Sequence, residues 1–211
     1  MKRDGYIKQA WLVLLLALGF GAALAGVHLG LKDKIAANLR DKTLNQIPKL
    51  IQDNGRTADK SLTEKFQYGP EGSGTVYKAF AGSGGDADHI GWLIRTKGQG
   101  FADQIELVVA LDADAEKILG VSVLSQKETP GLGDKIQSDD SFAGQFAGTD
   151  AKADLEVVKA SPDAENEIQA ITGATVSSKA VTDIVNRAVI EFRNALLQGQ
   201  VSPATQEQEK Q

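Results

Sequence analysis

The chain contains no cysteine and only two histidines among its 211 residues. Without thiols it forms no disulfide, runs no thiolate catalysis and holds no iron–sulfur cluster on its own side chains. Thiol avoidance suits a protein outside the cytoplasm, although many cytoplasmic proteins share it. His28 and His89 stand far apart and give no metal-ligand spacing. Basic excess is also lacking: 23 Lys and Arg face 28 Asp and Glu, a net charge of −5. Residues 1–31 hold Lys2, Arg3 and Lys8 against Asp4 alone, so the remainder is more acidic than the whole. An acidic body has no basic stripe for nucleic acid, and no nucleic-acid partner is expected. Internal repeats and a nucleophile elbow are absent, which leaves only a Ser-His-Asp arrangement through His89 open for acyl chemistry. Asp112 and Asp114 lack the glycine and later glutamate of a calcium loop. Gly82-Ser83-Gly84-Gly85-Asp86 lacks the Lys-Ser/Thr ending of a phosphate loop and reads as a hairpin loop. Redox chemistry in such a chain must come from a bound cofactor, for which the protein supplies binding and orientation.

What is present begins with a long apolar run. From residue 10 to 31 the only conventionally polar side chain is His28. A helix of that length crosses a hydrocarbon core of about 30 Å. The competing reading is a cleaved signal peptide, with Ala23-Leu24-Ala25 before Gly26 as a small-residue cleavage site. The run continues through Val27, Leu29 and Leu31, longer than a signal core of about 7–15 residues, so a retained anchor is expected. His28 lies near the end of the span, where an imidazole reaches the interface. Lys2, Arg3 and Lys8 precede the run; Lys32, Lys34, Arg40 and Lys42 follow it, so charge does not set the orientation.

Beyond the run, Ile35, Leu39, Leu44, Ile47, Leu50 and Ile51 give a helical pattern over 33–53, broken or kinked at Pro48. Residues 54–74 read as loop, with glycines and Pro70. Strands are expected over 75–80, 91–96, 105–111, 118–124 and 155–158, with a glycine turn at 97–101. Their order suggests a meander and an antiparallel sheet. Residues 126–136 read as a loop and 141–146 as a short helix. Val181, Ile184, Val185, Ala188, Val189, Phe192 and Leu196 trace one face of an amphipathic helix. From 199 to 211 the chain is polar and glutamine-rich, the composition of a disordered tail.

The densest chemistry lies just before that last helix. Thr172-Gly173-Ala174-Thr175-Val176-Ser177-Ser178 packs four hydroxyls and a glycine into seven residues. Free N–H groups and the helix dipole at such a start suit a phosphate. The plainer alternative is a cap, with Ser177 or Ser178 opening a helix near Lys179.

This heptapeptide resembles the [Ser/Thr]-Gly-Ala-Thr-x-[Ser/Thr]-Ser signature of FMN-binding subunits in bacterial ion-translocating redox complexes. Glu128-Thr129-Pro130-Gly131-Leu132-Gly133, about 40 residues earlier, independently resembles the family's Glu-Thr-Pro-Gly-Leu-Gly run. One position departs: the family usually carries an aspartate, read by the flavin-attaching transferase, where this chain has Gln169. The resemblance implies an α+β protein: an N-terminal transmembrane helix, then an antiparallel-sheet FMN-binding domain with a C-terminal amphipathic helix. The implied segments are a short cytoplasmic N-terminus (1–9), the transmembrane helix (10–31), a connecting helix and loop (32–74), the FMN-binding domain (75–198) and the tail (199–211). FMN would be covalent, through a phosphoester to Thr175. Thr172, Gly173, Ala174, Ser177 and Ser178 would cradle the phosphate. The loop of Glu128, Thr129, Gly131 and Leu132 would fold over the isoalloxazine, with Lys135 near a ring or phosphate oxygen. Without the resemblance, Pro130-Gly131 reads as a type II turn and Lys135 as a solvated lysine.

The implied function is electron relay within a membrane complex of the Rnf type, coupling ferredoxin and NAD to ion movement. The chain would not turn over alone. Its partners would be the other subunits, the membrane and a flavin transferase, with the FMN domain on the periplasmic side of the inner membrane. The flavin-carrying subunit of Na+-translocating NADH:quinone reductase is the nearest alternative. A non-redox anchored scaffold and a secreted flavin carrier are the others.

Overall fold

The computed structural model describes residues 4–53, 55–69, 74–82 and 87–204. The chain divides into two compact units, Met1–Lys42 and Thr43–Gln211. The described residues of the first unit lie within α1 (Asp4–Leu44), a single unbroken helix. Trp11, Leu12, Val13 and Leu14 point in four directions around it, and each is more than 60% exposed. A helix that is apolar all round needs either a core or lipid around it. This one is long and apolar enough to cross a membrane, and none of the span is buried in protein.

The helix does not run to residue 53 with a break at Pro48. It ends at Leu44, and Pro48 falls in the first turn of a separate α2 (Ile47–Leu50). Proline's missing N–H costs nothing there, because first-turn donors have no helical partner. A small hairpin of β1 (Gln52–Asp53) and β2 (Arg56–Thr57) follows.

The body is α+β. Its sheet contains β3 (Asp59–Tyr68), β4 (Gly74–Ala81), β5 (Asp88–Gln99), β6 (Gln104–Asp112) and β7 (Ile118–Ser125). After it come α3 (Lys135–Ser138), α4 (Asp140–Gly144), β8 (Glu156–Val158), β9 (Glu167–Gln169), α5 (Thr175–Leu197) and β10 (Ser202–Pro203). The antiparallel order is β10-β3-β4-β5-β6-β7. Period-two alternation sends Ile105, Leu107, Val109 and Leu111 of β6 to one face, where α5 lays down Val181, Ile184, Val185, Ala188 and Phe192. Val108 and Ala110 go to the other face, against Leu93, Tyr77, Ile47 and Ile51. Both faces are thus covered, which is why β6 reads as a nearly continuous apolar run.

Three expectations are corrected. Residues 59–68, within the expected loop, form β3: a polar strand, next to the edge of the sheet, shows little apolar alternation, and the ladder to β4 holds it. The turn expected at 97–101 starts later, closing from the N–H of Gly100 to Asp103 O at 2.8 Å. Lys97 to Gln99 stay in β5, where a methyl on Gly98 would lie 2.5 Å from Ile184 Cγ1, so that glycine serves close helix–strand packing. The tail is ordered at its start, because Ser202 and Pro203 pair with Gln67 and Phe66 of β3. The parallel β8–β9 pair had no expectation for its second strand. Ser83 to Asp86 of the expected hairpin loop and residues 205–211 of the tail lie outside the described residues.

Candidate functional site

Two turns of the same construction meet beside the N-terminus of α5. In residues 129–132, the N–H of Leu132 donates to Thr129 O at 3.1 Å. Pro130 holds the second position, and Gly131 takes φ +77° at the third, as a type II turn requires. In residues 171–174, the N–H of Ala174 donates to Ile171 O at 2.9 Å, with Gly173 at φ +84°. The turns touch: a methyl group on Gly173 would sit 3.3 Å from Leu132 Cδ2.

The helix begins at Thr175, four residues earlier than expected, and neither serine caps it. Ala174 holds the cap position and has no side-chain oxygen to offer. Ser178 is fully buried; its Oγ donates to Ala174 O at 3.0 Å and accepts the N–H of Ile171 at 3.1 Å. Ser177 Oγ donates to Glu128 Oε2 at 2.6 Å. The first helical N–H with a backbone partner is that of Ser178, to Ala174 O. Among the described residues, the N–H groups of Thr175, Val176 and Ser177 meet no protein acceptor. They are the orphan donors that give a helix start its affinity for anions.

A cavity of about 330 Å³ opens between the turns. Of the expected residues, Glu128, Thr129, Leu132, Gly173, Ala174, Thr175 and Ser177 line it; Thr172, Gly131, Ser178 and Lys135 do not. Lys135 is exposed at the start of α3. Gly133, Val176 and Phe101 also line the cavity. Phe101 comes from the β5–β6 turn, outside both motifs. A bulky aromatic in a glycine-flanked turn was the one signal that could have found it. Phe101, Val176 and Leu132 are 66%, 58% and 47% exposed, so the polar floor has an apolar rim. Rim and floor together offer an anion site beside surface for a flat apolar ring.

His89 lies elsewhere, on β5. Its Nε2 lies 3.0 Å from Gly91 O, and its ring packs edge-on against Trp92. Burial, and then the charge of Lys78, hold its pKa below the usual histidine range. No serine hydroxyl or carboxylate hydrogen-bonds to it among the described residues, so the triad geometry is not formed. No cluster of metal-ligating side chains occurs among the described residues either.

A sheet backed by one long helix, with a hydroxyl-lined cavity at that helix's uncapped start, is built to hold an anionic ligand. In agreement, residues 100–190 match the FMN-binding domain family. The chain is 31% identical over 199 residues to the G subunit of the ion-translocating oxidoreductase complex of Shewanella oneidensis, covering 88% of this chain and 89% of that one. It is 38% identical over 107 residues to the G subunit of the Na(+)-translocating ferredoxin:NAD(+) oxidoreductase complex of Acetobacterium woodii, a match that spans half of each chain. Among solved structures it resembles the C subunit of Na(+)-translocating NADH-quinone reductase from Parabacteroides distasonis. That likeness has a TM-score of 0.52 at 17% identity, covers 76% of this chain and 94% of that one, and speaks for the fold alone. The chain belongs to the G-subunit family of ion-translocating oxidoreductase complexes.

Proposed function

We propose that this chain is the membrane-anchored flavoprotein subunit of an Rnf-type ferredoxin:NAD oxidoreductase complex. It relays electrons through FMN esterified to Thr175. The observation that carries this reading is the half-buried Thr175 at the first position of an uncapped 23-residue helix, on the wall of the cavity. The residues present suit FMN. The free N–H groups of Thr175, Val176 and Ser177 oppose the charge of a phosphoester, and the helix dipole adds to them. Gly173 gives the backbone close approach to the phosphate. Phe101, Leu132 and Val176 give the isoalloxazine apolar surface and keep water from one side of it. When bound, the flavin supplies electron acceptance and donation, which no side chain of this protein offers. An ester keeps the cofactor in place through repeated turnover, where loss outside the cytoplasm is not easily made good.

The relatives' membership in multisubunit complexes supports other subunits as partners, and α1 supports a single-pass anchor in the bacterial inner membrane. The FMN domain faces the periplasm in this reading. The attaching transferase meets Gln169, whose backbone is bracketed by Gln145: Oε1 accepts its N–H at 2.6 Å and Nε2 donates to its carbonyl at 3.3 Å. Membership in an Rnf-type complex is favoured over NADH:quinone reductase for a specific reason. Sequence identity to a G subunit extends along nearly the whole chain, whereas the likeness to the reductase's C subunit is one of fold.

The test is intact mass and visible spectrum of the full chain, produced with the transferase, beside Thr175→Ala and Thr172→Ala. The expected result is a yellow wild type whose FMN-sized increment survives denaturation, is lost with Thr175→Ala and is kept with Thr172→Ala. A colourless wild type of unmodified mass, with the transferase active on a control, overturns the reading and leaves the scaffold alternative.

A further inference from the structure

Glu128 is the one charged side chain among the described residues that is more than nine-tenths buried, at 4% exposure. A carboxylate removed from water persists only where hydrogen bonds replace the solvent. Its oxygens serve two different elements. Oε1 accepts the N–H of Ala102, in the β5–β6 turn, at 3.1 Å; Oε2 accepts the hydroxyl of Ser177, in the first turn of α5, at 2.6 Å. Its own N–H donates to Gln126 Oε1 at 2.6 Å, which fixes the loop that carries it. The fit is close on the loop side as well: a methyl on Gly133 would come within 2.6 Å of Ser177 Oγ and 3.0 Å of Glu128 Oε2. On the cavity wall, each carboxylate oxygen is thus already engaged by a protein donor.

We propose that Glu128 is a positioning residue for the flavin, resting on the reading of Thr175 as its attachment point. One carboxylate ties the turn that bears Phe101, the loop that bears Leu132 and the helix that bears Thr175. It thereby sets the apolar rim at a fixed place relative to the esterified hydroxyl. The residue acts through these three elements and needs no contact with the flavin. Its charge is incidental to this role; its length and its two acceptors are what matter. A glutamine in its place accepts from Ala102 N–H through its amide oxygen and donates to Ser177 Oγ through its amide nitrogen. An aspartate is one methylene short of spanning the same gap.

The test uses the full-length chain, made with the flavin transferase and purified in detergent, as Glu128→Ala, Glu128→Asp, Glu128→Gln and Ser177→Ala. Three readouts are taken: denaturation-stable flavin on a gel, visible-region circular dichroism of the flavin, and iodide quenching of its fluorescence. Thermal melting is recorded alongside so that spectra are compared on folded protein. Glu128→Ala and Glu128→Asp are expected to keep covalent flavin but lose most of its visible dichroism and become open to iodide. Glu128→Gln is expected to retain wild-type dichroism and quenching, a rescue that follows from geometry and not from charge. Wild-type spectra in folded Glu128→Ala overturn the proposal, as does a Glu128→Gln spectrum as poor as that of alanine. Where Glu128→Ala does not fold, Ser177→Ala decides by the same spectra: reduced dichroism supports the brace, and an unchanged signal overturns it. A wild type without denaturation-stable flavin fails earlier, and that result falls on the Thr175 reading itself.

Discussion

Of the two glycine turns that meet at the cavity, the one at 129–132 leads into α3 and on to α4, helices of four and five residues. The N–H groups of the second and third residues of α4, Ser141 and Phe142, are taken by the Asp139 carboxylate. The other turn leads into α5, 23 residues long, with alanine at its cap and no side-chain acceptor. The chain therefore caps the short α4, while α3 and the long α5 have no side-chain cap. A missing cap costs about 1 kcal/mol, a small loss against a helix whose buried stripe contributes several times that. Open donors on the better-seated helix mark the place where an anion from outside completes the hydrogen bonding.

The sharpest way to break this contrast is to unseat α5. Phe192 is fully buried and packs against Tyr68 and Trp92 at ring-centroid distances of 5.4 and 5.3 Å. Phe192→Ala is expected to cost about 3–5 kcal/mol in urea unfolding, and a loss near zero would mean that α5 is not the helix that carries the fold. Next come the glycines. Gly131→Ala strains a positive φ with open space around the new methyl, whereas Gly173→Ala strains the same angle and also crowds Leu132. Each is expected to lose about 1–2 kcal/mol, with Gly173→Ala the worse, and equal losses in chemical denaturation would remove the claim that the turns touch.

Ala174→Ser gives α5 the cap it lacks. Flavin-free protein is expected to gain about 0.5–1 kcal/mol by the same assay, and no gain would show that the open donors are already satisfied. The smallest effect belongs to Asp139. The Ser141 hydroxyl foremost, then the N–H groups of Ser141 and Phe142, hold its carboxyl below the ordinary value of 3.8. A depressed folded-state value adds stability that is present above the ordinary value and lost as pH falls through the folded one. Wild-type melting temperature should therefore fall more steeply than that of Asp139→Asn on acidification below about pH 4. The difference is small because a single cap is worth about 1 kcal/mol, and identical curves would remove the cap.

The elements with a periodic apolar signal were legible in the residues: β4 through β7 by alternation, and α5 by its stripe from Val181 to Phe192. What was illegible lacked that signal for physical reasons. β3 is polar and next to the edge of the sheet, β9 is three residues long, and β10 is two residues whose order comes from pairing with Gln67 and Phe66. At the cavity, both motifs were readable, but the direction of each hydroxyl was not. Ser177 and Ser178 look alike in sequence; helical rotation turns one to Glu128 and the other back to Ala174. Phe101 was missed because its part comes from a turn that reaches the cavity only after the strands pair.

The short strand β10 has a consequence for how copies of the chain behave toward one another. In the membrane-anchored reading proposed above, the chain meets its neighbours in two dimensions, at high local density. The bare flank of a sheet is then an invitation to zip together. Here that flank ends in Pro203, laid opposite Phe66, and proline has no N–H to extend a ladder. At that end of β3 the selvedge is two residues wide, and its proline offers a further strand one donor fewer.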